Sequence, residues 1–469
     1  AATTTLAQSG LQQPYLVTPG DSGSTPWSAG YASDQTAESL PTAPKQASFD
    51  DAAPAAAAPA EEPKAADDAS SSSCGCGEEA SCGCEPSCGC DGGCSCDCND
   101  GCCLFGDCDL GDAWTLKSCY DPCGSCDHTI AGWVAMAYYD DNDRLSVQPG
   151  DLLSFEDYPD HLNLTQAWIY FEKIAATDGC SADWGYRFDM MYGVDAQKTQ
   201  AFGNDSPVWD VTFDNGVYGW AMPQAYGEIG FNDWSVKIGH FFTPVGYEVI
   251  PAIGNFFFSH SYTMFNSEPF THTGVLGTYS GYEDVTVYAG WTAGWDTGFD
   301  QAQGGSNWLG GIGFKPMDDV TVTYVSTAGN FGLRTAGESG YSQSVVAVAD
   351  LSDKTQYVFQ TDWVDANGFY NQPGFDNDEY GINQYLFYTM SDCWKSGVRM
   401  EWWKSNAPTG ESQSFYELTG GVNYRPHANL VFRPEIRYNW TPGENAANSA
   451  YGINDWNNTV FAIDAIATF

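Results

Sequence analysis

Residues 430–440 read LVFRPEIRYNW. Leu430, Phe432, Pro434, Ile436, Tyr438 and Trp440 share one parity, and Arg433, Glu435, Arg437 and Asn439 share the other. Successive side chains of a strand point to opposite faces, so this stretch predicts a strand with one apolar and one charged face. Two segments upstream repeat the pattern. In SGVRMEWWK (396–404), Val398, Met400 and Trp402 oppose Arg399 and Glu401. In FYELTGGVNYR (415–425), Tyr416, Leu418, Val422 and Tyr424 oppose Glu417, Thr419, Asn423 and Arg425.

Alternation alone also suits a soluble sandwich. Three further features select a transmembrane β-barrel: Arg and Glu side by side on the polar face, Trp and Tyr near the strand ends, and connections that alternate short and long. Short turns are expected near 425–428, 391–395, 350–353, 316–318, 280–283, 231–232 and 178–182, with longer loops between them. The count from residue 128 onward gives an all-β, antiparallel up-and-down barrel of about 16 strands, a size that leaves an aqueous channel.

Composition agrees with that class and excludes others. The chain has 469 residues, an aromatic content of 15% and 51 Gly, as many short strands and interfacial girdles require. Its 17 Lys plus Arg against 61 Asp plus Glu give a formal charge of −44, which excludes nucleic acid as a partner and favours cations. No run approaches 18 apolar residues, so no membrane-spanning helix is expected, which leaves a membrane barrel open. The first residue is Ala rather than Met, and a secretory signal peptide removed ahead of it is expected.

The N-terminal part has a different texture. Residues 1–73 are rich in Ala, Pro, Ser and acidic residues and read as a linker, disordered or ordered by a partner. Residues 74–127 hold 15 of the 17 cysteines: Cys74, Cys76, Cys82, Cys84, Cys88, Cys90, Cys94, Cys96, Cys98, Cys102, Cys103, Cys108, Cys119, Cys123 and Cys126. With few large apolar residues to form a core, order there must come from cross-links or metal. Disulfides within or between chains are one reading, and divalent cations held by thiolates and neighbouring carboxylates are the other. Cys180 and Cys393 fall in short turns after the second and twelfth expected strands, too far apart around the wall to bond each other. Each is instead a candidate to tether the cysteine-rich segment beneath the barrel.

The longest connection lies within Asp233–Leu276 and includes GHFFTPVGYEVIPAIGNFFFSHSYTMFNSEPFTHTGVL (239–276). It is too aromatic for an ordinary linker. This stretch resembles the β-barrel porin-2, or OmpL-like, family of outer-membrane porins in its planctomycete type. The resemblance continues more weakly through YTMSDCWKSGVRMEW (388–402) to FAIDAIATF (461–469), covering about residues 128–469. It implies an outer-membrane barrel surrounded by lipid, a homotrimer, passive diffusion of small hydrophilic solutes and no catalytic residues. Phe469 resembles the terminal aromatic by which such barrels are recognised for assembly.

General porins, which this arrangement resembles, fold the third outward loop into the pore. Between the fifth and sixth strands, the loop is stiffened by Pro244, Pro251 and Pro269, and Glu248 and Glu268 are its only carboxylates. Arg399, Arg425, Arg433 and Arg437 are expected to point inward, because a cation facing lipid at mid-depth costs about 2–4 kcal/mol. The expected constriction sets Glu248 and Glu268 across the pore from Arg399, Arg433 and Arg437, with Arg425, Glu401 and Glu435 on the same wall. Local neutralisation by Glu401, Glu417 and Glu435 is the alternative. His240, His260 and His272 match no metal spacing and read as polar wall residues. No enzymatic activity and no cofactor are expected, apart from divalent cations on the acidic loops or the cysteine-rich segment. The functional expectation is a general diffusion porin, cation-preferring, with its cysteine-rich extension periplasmic. The alternatives are an envelope or lattice protein cross-linked to neighbours or cell wall, and metal binding by the cysteine-rich segment.

Overall fold

The computed structural model describes residues 108, 110–121, 127–140, 153–177, 181–203, 209–210, 214–368, 376–406, 412–442 and 456–469. Strands follow one another along the chain: β1 (Thr129–Tyr139), β2 (Asn163–Lys173), β3 (Asp183–Gly193), β4 (Gly219–Phe231) and β5 (Trp234–Phe242). Next come β6 (Thr271–Tyr282), β7 (Val285–Thr292), β8 (Ser306–Met317), β9 (Val320–Asn330), β10 (Ser339–Ser352) and β11 (Thr355–Asn367). The last are β12 (Asp376–Ser391), β13 (Trp394–Ser405), β14 (Gln413–His427), β15 (Leu430–Thr441) and β16 (Trp456–Thr468). Each pairs antiparallel with the next, and β1 pairs with β16, closing a barrel of 16 strands. Class, strand number and the third-loop position agree with the sequence expectation.

Turns set the alternation. Residues 232–233, 283–284, 318–319, 353–354, 392–393 and 428–429 form two-residue turns, and longer connections lie between them. Asn232 and Asp233 both have positive φ (47° and 69°), the backbone of a type I′ hairpin turn, which Asn and Asp tolerate. The even strand number places both ends of the barrel at the short-turn rim. There Phe469 exchanges backbone hydrogen bonds of 2.9 and 3.0 Å with Gly132 of β1. Its ring covers Gly132 so closely that a Cβ would come within 2.8 Å of it.

The period-2 pattern sorts the faces. Ile436 is 57% exposed on the outer wall, whereas its neighbours Glu435 and Arg437 are 2% and 1% exposed inside. Outward rings pair across strands at both rims: Trp394 stacks on Tyr424 at 4.3 Å and Tyr416 on Trp440 at 5.3 Å, as an interfacial girdle requires. The interior differs from the expected water-lined wall. On β10–β12, Val346, Val348, Val358 and Phe387 face inward and pack against Tyr247, Phe256 and Phe257 of the long loop.

A strap precedes β1. Cys108 is disulfide-bonded to Cys393 in the β12–β13 turn, with a Cα separation of 6.1 Å that suits the bond. The chain then follows the short-turn rim: Ala428 N donates to Leu110 O at 2.9 Å, and Asn429 exchanges hydrogen bonds with the Trp114 backbone at 2.7 and 2.6 Å. Helix α1 (Leu116–Tyr120), capped by Thr115, leads into β1. Cys119, on this exposed helix, has no disulfide partner among the described residues. Cys74, Cys76, Cys82, Cys84, Cys88, Cys90, Cys94, Cys96, Cys98, Cys102, Cys103, Cys123, Cys126 and Cys180 lie outside the described residues, as do residues 1–107.

Candidate pore site

The loop between β5 and β6 folds into the barrel and is buried along nearly all its length. Wall charges grip its backbone. Arg433 donates to Ala252 O and Asn255 O at 2.9 and 2.5 Å, Arg399 to Ser259 O at 2.7 Å, and Arg437 to His260 O at 2.5 Å. Glu435 accepts from Phe258 N and Ser259 N at 2.8 and 3.2 Å. Glu401 accepts from Tyr262 N and Thr263 N at 2.7 Å each, at the start of helix α2 (Tyr262–Ser267). These are groups that a short helix and an irregular loop leave without internal partners.

The charges pair by contact, which corrects the expected opposition across a pore. Arg399 lies 2.6 Å from Glu248 and 2.6 Å from Glu417 of β14. Arg433 is bidentate to Asp464 of β16 at 2.8 and 2.5 Å, its cross-strand partner. Arg437 is 3.8 Å from Glu417 and 4.0 Å from Glu156. Buried charges are stable only when paired and hydrogen-bonded, so the loop carboxylate closes onto its arginine instead of standing apart from it in water. Arg425 is inward too, but near the short-turn rim. It donates to Ala428 O at 2.9 Å and lines a cavity of about 180 Å³ with Trp114, Trp133 and Phe469.

Glu268 departs furthest from expectation. It makes no ion pair with Arg399, Arg433 or Arg437 among the described contacts. Instead Gln360 of β11 donates from one amide nitrogen to Glu268 at 2.5 Å and to Asp362 at 2.6 Å. Gln360 accepts from Tyr247 N at 3.2 Å. Gly246, with φ of +87°, lies against the Glu268 carboxylate where any Cβ would collide. Burial first, and then the Asp362 charge, holds the Glu268 carboxyl well above its ordinary range.

The sequence did not single out Gln166 or Gln360, although both fix the loop. Gln166 of β2 donates to Ile250 O at 2.7 Å and accepts from Ala252 N at 2.9 Å. The histidines act as polar linkers: His240 contacts Thr273 at 2.7 Å, His272 contacts Thr243 at 3.0 Å, and His260 contacts Val249 O at 3.2 Å.

A family model described as "Putative beta-barrel porin-2, OmpL-like" matches residues 127–469. Among solved structures, the outer membrane channel DcaP of Acinetobacter baumannii is similar at 12% identity, covering 73% of this chain and 97% of that one with a TM-score of 0.51. OmpF of Salmonella typhi, in complex with daunomycin, is 10% identical over 73% and 97% of the two chains, with a TM-score of 0.49. OmpT of Vibrio cholerae, folded in vitro and in trimer form, is 13% identical over 73% and 99%, with a TM-score of 0.48. A comparison with curated proteins gives no sequence match.

Proposed function

This chain belongs to the β-barrel porin-2, OmpL-like family, and from that premise we propose that it is a general diffusion porin passing small hydrophilic solutes, with a preference for cations. The closed barrel of 16 strands, apolar outside and carrying paired charges inside, is the observation that carries the reading. The cation preference draws on the charge of −44 and on Arg399, Arg433 and Arg437 each lying against a carboxylate. With these cations neutralised locally, the lumen field follows the acidic excess. Glu248, Arg399, Arg433, Arg437, Glu401 and Glu435 act in this reading by holding the loop in the lumen, so that the loop sets the free width. Phe469 is the assembly signal, and the barrel functions as a trimer with the extension on the periplasmic side.

Purified protein in a planar bilayer is expected to show small, stable conductance steps, with a reversal potential of cation-selective sign in a KCl gradient. A folded protein without conductance overturns the porin reading; an anion-selective potential overturns only the charge preference.

The Cys108–Cys393 bond favours a second role, because it ties the cysteine-rich segment to the wall at Cys108. In that role the barrel anchors an envelope component whose cysteine-rich segment links to neighbours or cell wall. Non-reducing electrophoresis of envelopes is expected to show ladders that collapse on reduction; a monomer band in both conditions argues against it.

A further inference from the structure

The end of the long loop meets β10–β12 at a cluster of buried oxygen atoms that the protein leaves unsatisfied. Glu268 Oε2 and Asp362 Oδ1 have no protein hydrogen-bond partner, although Glu268 is wholly buried and Asp362 only 4% exposed. Two neutral side chains line the same place. Asn383, 0% exposed, has no partner at either amide atom, and Ser344, 2% exposed, has only the Asp362 carboxylate beside its hydroxyl. Register brings them together. Ser344 of β10 pairs with Asp362 of β11, and Gln360, the residue bridging both carboxylates, pairs with Asn383 of β12. All of these side chains point inward.

Buried polar groups in native proteins find partners, so the bare Glu268 Oε2 and the bare Asn383 amide beside a second carboxylate mark an occupant that is not protein. The charge balance says what kind. Two carboxylates are buried together, and the nearby cations are engaged elsewhere: Arg399 with Glu248 and Glu417, Arg334 with Asp296. Other acids of this region, Glu401 and Glu379, are held by Thr263 and by Ser267 with Asn377. Among the described residues, no group of three or more His, Cys, Asp or Glu side chains is placed to hold a metal, so an ion here would need neutral oxygens beside the two carboxylates. Carboxylate, amide and hydroxyl oxygens are the ligands of a hard cation, and irregular spacing suits calcium better than octahedral magnesium.

We propose that Glu268 and Asp362, with Asn383 Oδ1 and Ser344 Oγ, form a binding site for a hard divalent cation, Ca²⁺ foremost, that fastens the end of the long loop to β10–β12. The ion neutralises both carboxylates and supplies their missing partners. Water completes its coordination.

Equilibrium dialysis of the full, folded chain against ⁴⁵Ca²⁺, after chelator treatment, tests this. Any ions held by the cysteine-rich segment remain in every variant and cancel. Asp362→Asn and Glu268→Gln relieve the like-charge contact and are expected to fold without the ion. The wild type is expected to bind about one Ca²⁺ per chain more than either variant, or to bind it roughly tenfold more tightly. Ca²⁺ should raise the unfolding temperature of the wild type only, and Asn383→Ala should weaken binding without removing a charge. Equal Ca²⁺ binding in wild type and Asp362→Asn overturns the proposal. So does a wild-type stability that responds to pH but not to Ca²⁺, which assigns the cluster to a shared proton. Conductance is read separately: a protein that binds Ca²⁺ but does not conduct overturns the porin reading and leaves this site standing.

Discussion

The long loop is held by two walls that work differently. On β13–β16, Arg399, Arg433, Arg437, Glu401 and Glu435 bind its backbone by directed, charge-assisted hydrogen bonds. On β10–β12, Val346, Val358 and Phe387 pack against its aromatic side chains, with the few directed bonds there made by Gln360 and Glu379. The first wall fixes one backbone path, since each donor and acceptor has a specified direction. The second adds stability while tolerating small displacements. A loop held only by the apolar wall would stay in the lumen but lose its shape, and one held only by charges would keep its shape at a high desolvation cost.

Removing the centre of the charged wall is expected to have the largest effect. Arg399→Ala leaves Glu248 buried without its cation and Glu417 with only the more distant Arg437, a loss of about 3–5 kcal/mol, read as a lower unfolding temperature in detergent. With the loop released, conductance steps should grow and become noisy; unchanged steps would mean that the charges do not position the loop. Val358→Ala trims the apolar wall instead. It should cost about 2 kcal/mol and leave conductance steps uniform, because no directed bond is lost.

Smaller still is the effect of pH at the join between the walls. Glu268 binds its proton more strongly in the folded chain than in the unfolded one, so it favours folding fully at pH below its unfolded pKa. That contribution is lost as pH rises toward the folded value. In chelator, the wild-type unfolding temperature should therefore fall as pH rises from about 5 to 8, and Glu268→Gln should flatten the slope. A wild-type slope unchanged by the substitution would remove Glu268 as its source. Least affected should be the lipid-facing Met400→Leu, a volume-conserving change expected to shift stability by under about 1 kcal/mol and conductance not at all.

What the sequence made legible follows from distance along the chain. The faces of Arg399, Glu401, Arg433 and Arg437 are set by a period of two residues, and the turns by local backbone chemistry, so barrel class and strand count are readable locally. The loop's partners are long-range. Arg433 meets Asn255 across 178 positions and Gln166 meets Ile250 across 84, and no local pattern encodes such a meeting. The expected pairing of Glu268 with arginine rested on charge sign alone. The fold gives Glu248 the arginine and turns Glu268 toward Gln360, because the loop backbone between them is already fixed from Ala252 to Thr263. Cys108 and Cys393, 285 positions apart, were each candidates, but their pairing with each other was not readable.

That disulfide also decides where a mechanical load would travel. The seam between β1 and β16 joins the two ends of the chain, and a pull on the N-terminal extension would otherwise peel β1 away from it one hydrogen bond at a time. Because residue 108 is bonded to the β12–β13 turn, tension on residues 1–107 enters the wall there, at a hairpin whose strands are flanked on both sides. The extension can be pulled without opening the barrel at its closure.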